Sequence, residues 1–149
     1  MIEIIPANKK HIASIEALAK RRPKKNICKE SPILYYLACT VLKNYSFVAI
    51  EAGELIGYIL SFQATAQNYV WLQEVFVHPE KHGRKLSSQL LLALESHLKG
   101  IWTTPVKSIK VALQTDDYVE KDFYESHRFK FTRSDEALGK EIYQKRVIA

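Results

Sequence analysis

A β-rich run, a basic turn and a long apolar helical stripe follow one another in the middle of this chain. The run Tyr-Val-Trp-Leu-Gln-Glu-Val-Phe-Val occupies residues 69–77 and ends at His78-Pro79. Leucines then recur at helical spacing over residues 86–98, and residues 107–114 alternate as a strand. A strand that returns through a helix to a second strand makes a parallel pair. The segment therefore predicts a sheet that contains one helical crossover.

Shorter patterned segments complete the order on both sides. Alternation predicts strands at 2–5, 46–51, 55–62, 129–133 and 140–148, with the turn Ala52-Gly53-Glu54 joining the second and third strands. Apolar spacing predicts helices over 9–22, from Ser31-Pro32 to about 41, and over 118–127 after a cap at Asp116 or Asp117. The fold class predicted is α/β of the α+β type, a mixed, mostly antiparallel seven-stranded sheet flanked by about four helices.

Length and composition limit the class of protein. The 149 residues fit one domain spanning 1–149, since domains hold roughly 100–200 residues. A hydrophobic content of 47% with 26% charged residues excludes extended disorder, collagen and coiled coil. No apolar run approaches the roughly 20 residues that span a bilayer, and residues 1–6 do not resemble a signal peptide. We therefore expect a soluble, cytoplasmic protein with no membrane partner.

The net charge of +6 favours an anionic partner such as nucleic acid, a membrane surface or a phosphate-bearing cofactor. The basic residues are spread along the chain without a nucleic-acid-binding motif, so no nucleic-acid partner is expected. Cys28 and Cys39 lack CxxC spacing, which predicts buried free thiols. His78 and His82 flank a proline outside any HExxH pattern, so no metal site is predicted.

The basic turn before the leucine-rich helix has the features of an anion site. The first amides of a helix have no internal partners and carry partial positive charge, which suits a phosphate or pyrophosphate. Gly83 lies in the turn, Arg84 and Lys85 add positive charge, and Ser87 and Ser88 add hydroxyl donors. Taken alone, the turn is also consistent with an ordinary charged loop.

This segment resembles the GNAT N-acetyltransferase superfamily. The matching residues are Pro79, Gly83, Leu86 and Leu90-Leu91, followed by Asp117, Phe123-Tyr124-Glu125 and Phe129. The element order matches over essentially the whole chain. The resemblance implies an N-acetyltransferase that uses acetyl-CoA as cosubstrate and acts on a primary amine. It also implies the contacts to acetyl-CoA, namely Val75, Phe76 and Val77 at the strand end, His82, Gly83, Arg84, Lys85, Leu86, Ser87 and Ser88 in the turn, and Asp117 and Tyr124 near the last helix.

The turn departs from the family pattern at several positions. His82 replaces Arg or Gln, Lys85 replaces the second Gly, Ser87 replaces a small residue, Asp117 replaces Asn, and Arg128 replaces Gly. A Cβ at position 85 can crowd the pyrophosphate, although the lysine adds a favourable charge. A non-catalytic acyl-CoA-binding module of the same fold is therefore an alternative to an enzyme.

The resemblance also implies catalytic roles. Glu74 is the candidate base for the amine and a candidate substrate contact, and Tyr124 is the candidate acid for the leaving thiolate. Alternatively, Glu74 is a solvent-facing carboxylate that shares a face with Leu72 and Phe76, unless a bulge changes the alternation. Tyr124 is alternatively a helix-edge residue beside core residues Val119 and Phe123.

The first two helices are expected to select the acceptor. Ser31, Tyr35, Leu37 and Cys39 fall on positions that resemble diaminobutyrate acetyltransferases, which implies a small-molecule amine such as 2,4-diaminobutyrate. Tyr35 either lines an acceptor pocket or belongs to the core. A basic connection, Arg21, Arg22, Lys24 and Lys25, is either a solvated loop or attracts an acidic acceptor. A peptide or protein acceptor and a homodimer remain open alternatives.

Overall fold

The computed structural model describes residues 1–22, 32–41, 45–63, 68–100 and 106–147, with the backbone alone for 32–33 and 82–84. The strands are β1 (Ile2–Pro6), β2 (Phe47–Glu51), β3 (Glu54–Gln63), β4 (Tyr69–Val77), β5 (Ser108–Gln114), β6 (Lys130–Asp135) and β7 (Lys140–Arg146). The helices are α1 (Ile12–Ala19), α2 (Pro32–Cys39), α3 (Leu86–Lys99) and α4 (Tyr118–Ser126), with 3-10 turns at Lys9–His11 and Pro79–Arg84. The predicted residues Lys24, Lys25, Cys28 and Ser31 lie outside the described ranges.

The seven strands form one sheet in the order β1-β2-β3-β4-β5-β7-β6. The β4–β5 pair is parallel and the other five pairs are antiparallel. The crossover between them is α3, as the central segment of the sequence predicts. The predicted fold class is therefore confirmed.

A two-residue turn joins β2 to β3. Ala52 and Gly53 have φ values of 51° and 78°, and Glu51 pairs with Glu54 across the turn. Both turn residues adopt the left-handed backbone that a tight hairpin with matched strand twist requires. The predicted hairpin is confirmed, and β3 begins one residue earlier than the sequence pattern indicates.

The helices cover both faces of the sheet. The α3 leucines Leu90, Leu91 and Leu94 are completely buried against one face, in the cluster that also contains Tyr124. On the other face, α1 and α2 pack with a cluster that contains Tyr35 and Cys39. Tyr35 is thus a core residue, and burial raises the pKa of the Cys39 thiol to about 11. None of the helices in the described ranges combines the length and apolar character needed to cross a bilayer.

One core prediction on α4 is wrong. Val119 is 81% exposed, whereas Phe123 packs against the α3-side cluster. The helix contacts the sheet through Phe123 and Tyr124, so Val119 at the start of the helix projects away from it. The neighbouring Tyr118 is exposed as well, at 71%.

A β-bulge interrupts β4 at Gln73. Leu60 pairs with Glu74 and Ser61 pairs with Leu72, so Gln73 is an extra residue on β4. Leu72 belongs to the α3-side cluster, whereas Phe76 belongs to the cluster beneath α1 and α2. The bulge therefore breaks the strict alternation, and Glu74 shares a face with Phe76 but not with Leu72.

Candidate active site

A cleft opens where β4 and β5 separate. The parallel pairing runs from Tyr69 and Ser108 to Leu72 and Val111 and ends there. Beyond that point the strands enclose a cleft of about 410 Å³. Its lining includes Arg22, Glu74, Val75, Phe76, Asp117, Glu120, Tyr124 and Lys140. Four of the predicted site residues of β4 and α4, namely Glu74, Val75, Phe76 and Tyr124, therefore face one space, together with the helix-capping Asp117.

Glu74 lies on the α1 side of the cleft with both carboxylate oxygens engaged. The Tyr58 hydroxyl donates a hydrogen bond to Oε1, and the Arg22 guanidinium forms an ion pair with Oε2. The Glu74 side chain is 11% exposed, so it is not a solvent-facing carboxylate. The bulge at Gln73 is what turns this side chain toward α1.

Arg22 follows α1 and joins three elements. Its Nε donates to the Ala19 carbonyl at 3.1 Å, and its Nη2 donates to the Tyr35 hydroxyl at 3.3 Å. Nη1 reaches Glu74 on β4. The sequence placed Arg22 only in a basic connection, and no spacing rule links it to Glu74. Tyr35, although buried in the core, contributes its hydroxyl to this network.

Tyr124 lies on α4 and reaches the cleft from the other face of the sheet. Its side chain is 2% exposed and its ring meets Phe123 and Phe129 edge-on, with ring centroids 5.0 and 5.1 Å apart. Within the described ranges, its hydroxyl has no hydrogen-bond partner. Burial, and then the charge of Glu120, raise the Tyr124 pKa well above 10.

Glu120 is a cleft residue that the sequence analysis did not select. Its backbone amide donates to Asp117 Oδ1 at 3.1 Å, which makes Asp117 the helix cap. Burial, and then the nearby charge of Asp117, raise the Glu120 pKa to about 7. Both the protonated and the ionised carboxyl group are therefore accessible near neutral pH.

The turn between β4 and α3 presents free helix amides. Lys85 has φ 57°, and α3 begins at Leu86 without a side-chain cap or an acidic residue in its first turn. The first intrahelical bond runs from the Gln89 amide to the Lys85 carbonyl, at 3.1 Å. The three preceding amides, of residues 86–88, are thus available to an anion, and this end of the helix fits a pyrophosphate.

The predicted turn residues differ in what their side chains do. Leu86 is buried in the core, and Ser87 is half-buried. The Ser88 hydroxyl shares a hydrogen bond of 2.9 Å with His127 Nε2 at the end of α4. Burial, and then Lys145, lower the His127 pKa, so the ring is neutral at pH 7. Ser88 therefore joins α3 to α4 through its side chain, while its amide remains at the helix end.

The end of β4 offers backbone groups to the cleft. Val75 and Phe76 are half-buried and line it, whereas Val77 is buried and pairs with Gly57 of β3. No ladder from β5 reaches residues 73–77. A ligand placed between the two strands therefore meets this edge of β4.

Substitutions at Lys85 measure the conformational cost of its left-handed backbone. A residue with a Cβ at φ 57° is disfavoured by about 1 kcal/mol, and glycine is not. The free energy of unfolding of Lys85→Gly is expected to exceed that of Lys85→Ala by about 1 kcal/mol. Urea denaturation at pH 7 measures both values. Both variants lose the amine, so the comparison isolates the backbone. Equal stability of the two variants would contradict a strained Lys85.

Across the described parts of the chain, no group of three or more His, Cys, Asp or Glu side chains is arranged to hold a metal ion. The cleft combines carboxyl groups and a phenol, and the N-terminus of α3 lies beyond its lining residues. This set of groups suits proton transfer and anion binding.

Comparison with known proteins agrees with the geometry. Residues 43–131 match the family model of the acetyltransferase (GNAT) domain. No curated protein matches the chain.

Solved structures share the fold over nearly the whole chain. The diaminobutyrate acetyltransferase EctA from Paenibacillus lautus, in complex with L-2,4-diaminobutyric acid and coenzyme A, has a TM-score of 0.76 at 12% identity, covering 99% of this chain and 95% of that one. PaiA N-acetyltransferase from Thermoplasma acidophilum, in complex with coenzyme A, has a TM-score of 0.73 at 17% identity, covering 98% and 99%. The ribosomal-protein-S18-alanine N-acetyltransferase from Escherichia coli has a TM-score of 0.77 at 15% identity, covering 99% and 94%.

Proposed function

Because the chain belongs to the GNAT family of acetyl-CoA-dependent N-acetyltransferases, we propose that it acetylates a primary amine of a small molecule. The acceptor class is 2,4-diaminobutyrate or a related amino acid or diamine. The observation that supports this most directly is the cleft between β4 and β5, which Glu74 and Tyr124 enter from opposite faces of the sheet.

The acceptor side of the cleft favours a small charged molecule. Glu74 and Arg22 form an ion pair that presents a negative and a positive group side by side, which is complementary to an acceptor that carries both an ammonium group and a carboxylate. An amino acid carries both charges. Glu74 is only 11% exposed, so a slender acceptor reaches it more readily than a folded protein surface does. The diaminobutyrate complex of one structural neighbour supports the same class.

Acetyl-CoA supplies an acyl carbon activated as a thioester. Its pyrophosphate fits the amides of residues 86–88, and its acyl arm fits the space between β4 and β5. A Lys-type amine has a pKa near 10.4, so it must lose a proton before it attacks. Glu74 accepts that proton, directly or through water. Backbone amides among residues 75–77 stabilise negative charge on the acyl oxygen, and the Tyr124 hydroxyl hydrogen-bonds the departing sulfur.

Thiol release over an amine panel tests the proposed function. The panel contains 2,4-diaminobutyrate, other amino acids, polyamines and peptides, and calorimetry measures acetyl-CoA binding separately. Turnover of small amines supports the proposal. Turnover of peptides alone supports a peptide or protein N-acetyltransferase, and the name of one structural neighbour gives a ribosomal protein as its acceptor. Binding of acetyl-CoA without turnover of any amine supports a non-catalytic module.

The variant Tyr124→Phe tests the hydrogen bond that the Tyr124 hydroxyl donates to the departing sulfur. We expect kcat to fall about tenfold with little change in KM, because one hydrogen bond of about 1.4 kcal/mol is lost as the thiolate forms. Tyr118→Phe is the matched control, since Tyr118 lies on the same helix and is largely exposed. A kcat for Tyr124→Phe equal to that of the control would remove Tyr124 from the mechanism.

A further inference from the structure

We propose that the Glu120 carboxyl group is the acid that returns a proton to the departing sulfur, an assignment that rests on the acetyl transfer proposed above. Tyr124 then acts as a hydrogen-bonding group beside it. The sulfur is that of the coenzyme thioester in the cleft between β4 and β5.

Glu120 and Tyr124 occupy the same side of α4. They lie four residues apart, which places side chains on one face of a helix, one turn from each other. Both line the cleft. The charge of Glu120 also acts on the Tyr124 hydroxyl and contributes to raising its pKa, so the two groups interact electrostatically.

The two cleft glutamates differ in their partners. Glu74 has both oxygens engaged by Tyr58 and Arg22. Within the described residues, no hydrogen bond or ion pair involves the Glu120 carboxylate. It can therefore gain or lose a proton without breaking a contact. The charged or titratable groups that line the cleft with it are Asp117, which caps α4, Tyr124 on α4, Glu74 on β4, Arg22 after α1, and Lys140 on β7.

The acid strengths decide between the two α4 groups. A thiol has a pKa near 8.5. Tyr124, with a pKa raised well above 10, is a weaker acid than the thiol it would have to protonate. Glu120, with a pKa of about 7, is a stronger one, so proton transfer from it to a thiolate is downhill.

The proton and electron balance is complete with these groups and water. As the carbon–sulfur bond breaks, its electron pair stays on sulfur and takes up the proton from a carboxyl oxygen of Glu120. The acceptor enters as an ammonium ion and loses one proton to Glu74 or to water before it attacks. The nitrogen loses a second proton to water as its bond to the acyl carbon forms. Glu120 regains a proton from solvent, so two protons leave nitrogen, one arrives at sulfur, one is released to solvent on balance, and nothing is oxidised or reduced.

Glu120→Gln, with Asp122→Asn as the matched control, tests the assignment. Asp122 is an exposed carboxylate on the same helix. We expect the wild-type kcat to fall as pH rises above about 7, because the protonated carboxyl is required. Glu120→Gln is expected to lower kcat about 100-fold and to abolish that limb. Glu120→Asp, which keeps a carboxyl group, is expected to retain the limb, and the control to behave as wild type.

A second readout does not depend on turnover. The carbon-13 shift of the Glu120 carboxyl carbon in the coenzyme-free protein is expected to titrate near pH 7. A midpoint near 4.5, or a Glu120→Gln variant with the pH limb intact and kcat within twofold of wild type, would overturn the assignment alone. Absence of turnover with every amine would overturn the proposed function and this assignment together.

Discussion

Arg22→Met is expected to lower the free energy of unfolding by about 3 kcal/mol. Arg22 and Glu74 form an ion pair whose side chains are 9% and 11% exposed. Removing one partner of a buried pair leaves the other charge uncompensated, which costs about 3–5 kcal/mol. The lower end applies because Tyr58 still donates a hydrogen bond to Glu74. Methionine keeps much of the apolar stem of arginine, so the packing changes little. Urea denaturation at pH 7 measures the difference in free energy of unfolding between wild type and variant.

The double variant Arg22→Met with Glu74→Gln separates charge from packing. It is expected to recover most of the lost stability, since no buried charge remains. Lys20→Met serves as the control, because Lys20 is an exposed cation at the end of the same helix and its loss is expected to cost less than about 1 kcal/mol. Equal losses for Lys20→Met and Arg22→Met would contradict a buried ion pair at the acceptor side of the cleft.

Glu120→Gln is expected to stabilise the protein by about 2 kcal/mol at pH 8 and to have little effect at pH 4. The Glu120 pKa is raised from its ordinary value of 4.5 to about 7 in the folded state, because burial disfavours the charged form. Between these values the folded chain binds more protons than the unfolded chain, so wild-type stability falls as pH rises. The full difference corresponds to about 3 kcal/mol, and partial exposure of the side chain reduces it to about 2 kcal/mol.

Urea denaturation of wild type and variant across this pH range measures the effect. The gain is expected to appear above pH 4.5 and to level off above about pH 7. Asp122→Asn, which removes an exposed carboxylate from the same helix, is expected to show no such dependence. A stability gain of the same size at pH 4 and pH 8 would indicate that glutamine acts through packing and not through charge.

The order of elements was predictable because hydrophobic periodicity is a local property. Residues 69–77, 86–98 and 107–114 each carry their own pattern, and together they specify the parallel β4–β5 pair. The face occupied by Glu74 was not predictable in the same way. It depends on the bulge at Gln73, which adds one residue to the strand without a glycine or proline to mark it.

The site residues that the sequence analysis missed depend on tertiary contacts. Arg22 meets Glu74 only because α1 packs beside β4, and the sequence separation between them gives no sign of this. An acidic residue in the first turn of a helix is favourable in any protein, so the sequence does not mark Glu120 as a cleft residue. Only the separation of β4 from β5 places its carboxyl group in a cleft.

The divergence of β4 and β5 after Leu72 also explains how such a cleft tolerates substitution. The two edges of the cleft are the backbones of β4 and β5, and every residue except proline supplies the same peptide groups. Side chains along both strands can be exchanged without moving these backbones, provided that the two cores beneath them stay filled. When backbone groups form the groove, its shape does not require particular side chains. Agreement of the fold over almost the full chain at 12–17% identity is consistent with this.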